Sequence, residues 1–473
     1  MPFVHDARIH AGREPGPRAG GEFVLYWMQA AFRADDNIAL NFAVQQGDRL
    51  RLPVLVYHGL RADYPWASDR LHTFILEGVA DLQARFAERG IQYAFYLDTR
   101  SPEAIAEARE GRHDPSPLEQ LARRAALVVT DFLPTFIHPR QIRRLREKVE
   151  TPVIAVDGAT VVPMALISRE HPTARGFRTE VSRHLDDHLR PVGNEEPALR
   201  GAIDLPFAPV TVTREGIPAL VACCAVDHAV APSPTLTGGS VAARRRLAWF
   251  LEHGLPRYAD ERNDPNVDAT SRLSAYLHFG MISPQEVLLR VREAGPARQA
   301  ERFLDEALVW REVSHNFCYY QPRHRTVEGI PAWARAELER HEGDPRRLYA
   351  AEDLEFARTE DELWNACQRA LLRDGELHNY LRMLWGKALL PWTRNAAEAL
   401  RILEHLNNKY ALDGRDPNSY GGIHWTFGRF DRPFYRRPVY GTVRYQSTRA
   451  AAAKFDVPAY LRRYGEGQGA LGL

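Results

Sequence analysis

Five short, almost unbroken apolar runs recur between helical patterns in the first third of the chain: FVLYWM, LPVLVYH, QYAFYL, AALVVTDF and PVIAVDG. A strand with one wet face alternates apolar and polar residues, so runs this continuous belong to strands buried on both faces, as in a parallel sheet covered by crossover helices. The spacing therefore predicts a doubly wound, Rossmann-like α/β domain over residues 22–170. From 171 to 239 the periodicity fades, prolines and glycines gather, and no strong helix can be drawn, so this stretch reads as a long interdomain connector. After Gly239 the pattern is helical almost to the end, with breaks expected at His253-Gly254, Asp264-Pro265, Asp374-Gly375 and Asp413-Gly414. An all-α domain over residues 240–460 follows, and the glycine-rich stretch 465–473 is expected to fray.

A chain of 473 residues exceeds one ordinary core and agrees with this division. Its 62 lysines and arginines nearly cancel 61 aspartates and glutamates, so no global positive field draws a polyanion. A nucleic-acid site would have to be a local patch, for which Arg143-Arg144, Arg244-Arg245-Arg246 and the arginines between 432 and 444 are available, although solvated helix faces are the commoner explanation of such runs. Cys223, Cys224, Cys318 and Cys367 lack metal or disulfide spacing and are expected to be reduced core thiols, and the histidines form no ligand set, so no metal is expected. The first 21 residues are polar and no later run is long enough to span a bilayer, which predicts a cytoplasmic protein, expected as a monomer.

Three segments could carry chemistry. Trp385 and Trp392 are seven apart, which on one helix puts them roughly 10 Å apart along the axis. With Trp364 on a neighbouring helix they could relay an electron, or simply pack a core. The segment 257–284 runs a polar loop, with Asp264, Asn266, Asp268, Thr270, Ser271 and Arg272, into an apolar helix. That suits either a phosphate group or a well-capped helix start. Between residues 404 and 425 lie Asn407, Asp413, Arg415, Asp416 and Asn418, which must pair if buried, through caps around a turn or through a polar heterocycle.

Four segments together resemble the class II cyclobutane pyrimidine dimer photolyases: VLYWMQAAFRADDNIAL (24–40), FLDEALVWREVSHNFCYY (303–320), WNACQRALLRDGELHNYLRMLWGKALLPW (364–392) and LNNKYALDGRDPNSYGGIHW (406–425). They occur in one collinear order across residues 22–450. The resemblance implies light-driven repair of cyclobutane pyrimidine dimers in double-stranded DNA. A photoexcited, fully reduced FAD passes an electron to a dimer flipped from the duplex, since chemistry on a stacked base requires extrusion. By the same resemblance Tyr258, Thr270, Ser271, Arg272, Leu273 and Ser274 bind the FAD phosphates. Asn407 faces the flavin N5, with Asp413 and Asp416 beside it and Arg382 as a counter-charge. Glu306 bonds the dimer, Trp310 and Trp425 hold the flipped bases at about 1–3 kcal/mol of stacking each, and Arg262 fills the hole left in the duplex. Asp431 is kept in the region beside the DNA-facing cleft, and Trp364, Trp385 and Trp392 form the photoreducing chain; on charge rather than resemblance, Arg262 with Arg432, Arg436, Arg437 and Arg444 is expected to contact the DNA phosphates. The class prefers a deazaflavin-type antenna as second chromophore; the sequence does not identify one.

Three departures from the family pattern stand out, of which the first is that the connector from Pro172 to Gly239 matches no part of it. The segment WTFGRFDRPFYRRPVYGTVRYQS (425–447) is one residue short, keeps Asp431, has Phe434 in place of a second tryptophan and Thr442 in place of a lysine. WREVSHNF (310–317) lacks the paired arginines usual there. A cryptochrome-like photoreceptor shares the expected fold and tryptophan chain but has no use for Glu306, Trp310 and Trp425.

Overall fold

The structure is a computed structural model that describes residues 4–12, 16–110 and 115–466; of the glycine-rich tail, residues 467–473 lie outside the described residues. Six strands form one sheet in the order β1-β6-β5-β2-β3-β4, with β1 Ile9–His10, β2 Val24–Met28, β3 Val54–Leu60, β4 Gln92–Leu97, β5 Leu127–Asp131 and β6 Val153–Val156. The pairs among β2 to β6 are parallel. Every residue of β2 and of β5 is buried, as their unbroken apolar runs require. The edge strand β1 pairs antiparallel with β6 and lies outside the predicted 22–170 domain; two residues carry too little pattern to be read. Helices α1 (Ile38–Leu50) and α2 (Asp69–Arg89) cover the sheet, each started by a side-chain cap from Asn37 or Ser68, and α2 stops at Gly90 in the left-handed region. Helix α3 (His138–Lys148) follows β5.

The connector is more ordered than its composition suggests. It contains the helices Ala174–Val181, Leu185–His188 and Ile217–Ala222, against the expectation of none. Amide side chains fasten it to the α/β domain: Gln92 exchanges two bonds with the backbone of Ile203, and Gln83 bonds Val210 and Val212. Its first helix buries Ala174, Phe177 and Val181 at helical spacing, but over only two turns set among charged residues, too short a run to stand out in the sequence.

In the helical domain α4 (Ala297–Leu304) passes through a π-helical turn, Asp305–Trp310, into α5 (Arg311–Tyr320). The helices α6 (Glu362–Asp374), α7 (Asn379–Ala388), α8 (Ala396–Tyr410) and α9 (Pro417–Thr426) complete the part that matters for the site. Helix α6 ends as predicted at Gly375, with φ of 70°. The break expected at His253-Gly254 is instead a second π turn, Phe250–Gly254, leading on into Leu255–Arg257. Helices α5 and α9 cross so closely that a Cβ on Gly421 would stand 2.1 Å from Ser314 Oγ.

The two domains share buried polar ties. Arg70, on α2, donates to Leu371 O (3.1 Å), Tyr410 O (2.8 Å) and Arg373 O (3.2 Å), covering the C-terminal carbonyls of α6 and α8. Glu312, on α5, accepts from Val161 N at 2.6 Å, and burial pushes its carboxyl up to about 7. Three of the four cysteines are buried as expected, but Cys223 is exposed. Among the described residues no helix is long and apolar enough to cross a membrane.

Candidate active site

The three tryptophans form one contact chain with Trp364 in the middle. Trp364, wholly enclosed on α6, stacks on Trp385 of α7 with ring centroids 6.3 Å apart and 8° between planes, and meets Trp392 edge-on at 5.2 Å. Its Nε1 donates to Trp385 O and Trp385 Nε1 donates to Gln368 Oε1, both at 2.9 Å, so both rings are fixed. Helix α7 stops at Ala388 and Trp392 sits in a separate 3₁₀ turn, so the seven-residue spacing does not itself align two rings on one helix. Trp392 is half-buried and carries Tyr349 against its edge at 5.4 Å, a contact that no local pattern announces.

A second set of groups lies where α8, α9 and the turn between them meet α7. Asn407 commits its amide nitrogen to Ser419 Oγ (2.6 Å) and Asn408 Oδ1 (3.1 Å), which leaves its amide oxygen as an acceptor without a partner among the described residues. Arg382 Nη2 pairs with Asp413 Oδ1 at 2.9 Å, so the expected counter-charge is itself balanced by a carboxylate. Arg415, wholly buried at φ of 71°, holds the 411–416 turn through the carbonyls of Asn408, Ala411 and Leu412. Asp416 and Asp413 both act on His278 and Arg415, but Asp416 has further partners. It caps α9 through Asn418 N, faces His278 Nδ1 at 3.3 Å, and helps line a small interdomain cavity; His278 beside it holds its carboxyl below the usual range against the cost of burial.

The 270–274 stretch is held by Arg246, which donates to Thr270 O and Ser271 O, and Arg272 pairs with Glu376. Leu273 is buried and Ser274 opens the helix Ser274–His278. Arg244 and Arg246 of the predicted basic triplet are committed to Glu286 and Asp268.

Glu306 and Trp310 both sit on the π turn. Glu306 Oε1 accepts from Arg262 Nη1 at 2.9 Å and Arg302 Nη2 at 2.6 Å; burial pushes its carboxyl up while the two guanidiniums draw it down. Arg262 also lies 5.9 Å from the Tyr258 ring centroid, which joins the Tyr258 segment to the Glu306 cluster, and it points into this cluster rather than outward. Trp425, at the end of α9, is half-buried, with Lys387 Nζ 4.7 Å and Arg444 Cζ 5.5 Å from its ring centroid. Arg444 pairs with Asp431 at 2.8 Å and lies over Phe434. Sequence reading missed Lys387 because one lysine inside a helical run is unremarkable.

A separate cleft of about 1190 Å³ opens over the C-terminal ends of β2, β3 and β4, roofed by residues 136–148. This is the switch point of the strand order, between β2 and β5, where open α/β sheets receive ligands. Tyr64, Phe136 and Phe32 supply aromatic walls, Arg140 and Arg144 exposed cations, and His278 and Arg415 an inner wall from the helical domain.

Residues 24–200 match the DNA photolyase family model. The chain is 34% identical over 465 residues to a deoxyribodipyrimidine photo-lyase of Methanothermobacter thermautotrophicus, covering 98% of each chain. The chain belongs to the DNA photolyase family. A deoxyribodipyrimidine photo-lyase of Arabidopsis thaliana is 34% identical, with 93% of this chain and 88% of the relative covered. The fold of this family member also matches a bacterial class III photolyase from Agrobacterium tumefaciens, with a TM-score of 0.68 at 18% identity over 94% of this chain and 87% of the other. An archaeal photolyase from Sulfolobus tokodaii, described with two FAD molecules, gives 0.65 at 17% identity over 95% and 91%.

Proposed function

We propose that this chain is a class II photolyase that binds reduced FAD and repairs cyclobutane pyrimidine dimers in double-stranded DNA in the light, acting as a monomer. The observation that carries the reading is the Glu306 cluster. It is a half-buried carboxylate between two guanidiniums, on the same π turn as Trp310, in a chain collinear with deoxyribodipyrimidine photo-lyases. The donor set fits a flavin: Asn407 offers a free amide oxygen inside a fixed polar network, and the Arg382–Asp413 pair offers both a donor and an acceptor to a heterocycle. FAD, when bound, supplies the photoexcited electron, which no side chain can.

The chain's own residues then have separable tasks. Glu306 accepts hydrogen bonds from the flipped dimer while Arg262 and Arg302 keep the carboxylate oriented. Trp310 and Trp425 present rings for the extruded bases to stack on. Trp392, Trp364 and Trp385 carry an electron inward from the half-buried end of their chain. The cleft at the sheet switch point would take a planar antenna of deazaflavin type, with Arg140 and Arg144 placed for an acidic tail.

The test is repair of a thymine-dimer oligonucleotide by purified, reduced protein in light and in darkness. Recovery of thymine absorbance only in the light is expected, and Glu306→Gln should lower the repair rate about tenfold by weakening a charge-assisted contact. Bound flavin without repair would instead favour a photoreceptor.

A further inference from the structure

Lys387 is wholly enclosed, and a buried ammonium survives only where partners compensate its lost hydration. Its Nζ donates to Thr426 O at 2.7 Å and to Trp425 O at 3.3 Å, two carbonyls at the C-terminal end of α9, the second of which also accepts from Gly428 N at 3.0 Å. The same atom lies 4.7 Å from the centroid of the Trp425 ring, inside the range of cation–π attraction. One side chain on α7 thus holds both the backbone and the ring of a residue on α9.

We propose that Lys387 is a positioning residue that fixes Trp425 as one wall of the lesion pocket and thereby sets the preference for damaged over undamaged DNA. The inference rests on the repair reading above and deepens it.

The charges around Lys387 come from the segment after α9. Asp431 attracts the ammonium and Arg444 repels it; Asp431 Oδ1 is paired with Arg444, while its Oδ2 is buried with no partner among the described residues. Tyr440 closes the far side, its hydroxyl donating to Lys387 O at 3.0 Å. Burial lowers Lys387 to about 7, so the cation is complete below that pH and fades above it. Once Lys387 is neutral, the attraction on the indole is gone, and the amine keeps only uncharged, weaker hydrogen bonds to the Thr426 and Trp425 carbonyls.

The experiment compares dissociation constants of the flavin-loaded protein for a dimer-containing duplex and the same undamaged duplex, from about pH 6 to about pH 8.5. Taking the ratio of the two removes titrations that affect DNA binding in general. The ratio is expected to fall about fivefold as pH rises through neutrality. Lys387→Met should show the lower ratio at every pH, while Asp431→Asn, by removing the attracting anion, should shift the fall to lower pH. A ratio independent of pH in the unmodified protein, or a Lys387→Met protein that keeps full discrimination, would overturn the proposal while leaving the repair reading intact. If Lys387→Met does not fold, the pH profiles of the unmodified and Asp431→Asn proteins decide. An unmodified protein that prefers damaged DNA at no pH would overturn the repair reading, and this inference with it.

Discussion

Trp364 has neighbours on both sides, Trp385 in a parallel stack and Trp392 edge-on, and no exposure of its own. Trp364→Phe should therefore abolish light-driven reduction of oxidised flavin, followed by absorbance, and leave repair by chemically reduced protein unchanged. Loss of repair with chemical reductant would show that the ring supports the fold or the pocket instead. The three tryptophans were legible in the sequence because they are few, large and close together. Their order was not, because Trp364 enters the chain through a contact between helices and not through a spacing along one. The setting of Asp416 was not legible for the same reason: it neighbours Asp413 in sequence, and past the left-handed turn at Arg415 it also lines a cavity at the domain boundary.

The elements differ in how openly the sequence declares them. The central parallel strands β2 and β5 were plain because strands buried on both faces must be continuously apolar, and the end of α6 because Gly375 takes a conformation that costs other residues energy. The π turn Asp305–Trp310 was invisible: its composition is that of the surrounding helix, and the extra residue per turn is imposed by packing. Yet that turn sets the relative placement of Glu306 and Trp310. The crossing of α5 and α9 is equally demanding, since Gly421 is the point at which a side chain would strike Ser314. Gly421→Ala should destabilise the protein by about 1–3 kcal/mol, read from thermal or denaturant unfolding. Adding Ser314→Gly should recover part of the loss; an unaltered midpoint in the single variant would mean that the helices can part without cost.

For the molecule as a whole, net charge says little and local geometry much. Of the arginines between 432 and 444, Arg436 and Arg444 are paired with carboxylates, whereas among the described residues Arg432 has no partner and the Arg437 side chain only the Tyr445 ring. Binding to undamaged duplex should weaken with salt at a logarithmic slope near about −2, and a slope near zero would place the DNA surface elsewhere. Two buried groups also make stability depend on pH, with opposite signs. Glu312, pushed up to about 7, holds a proton in the folded state that it loses when unfolded above about pH 4.3, so stability falls between those values. Lys387, lowered to about 7, has released its proton in the folded state while the unfolded chain keeps it up to about pH 10.4, so stability rises above neutrality. Melting temperatures should show Glu312→Gln flattening the acid-side decline and Lys387→Met the alkaline-side rise. Equal profiles for variants and parent would assign the pH dependence to other groups.

The guanidinium of Arg70 makes the two domains poor candidates for independent inheritance. It originates in the α/β half and satisfies the helix ends of the other half, so a helical fragment expressed alone would leave the Arg373 and Tyr410 carbonyls without this donor and an α/β fragment would carry a stranded cation on its surface. Recombination that exchanged one half for that of a distant relative would have to carry across both the arginine and the turn geometry that receives it. The boundary between the domains is therefore a poor place to cut this protein, although by composition it looks like the natural one.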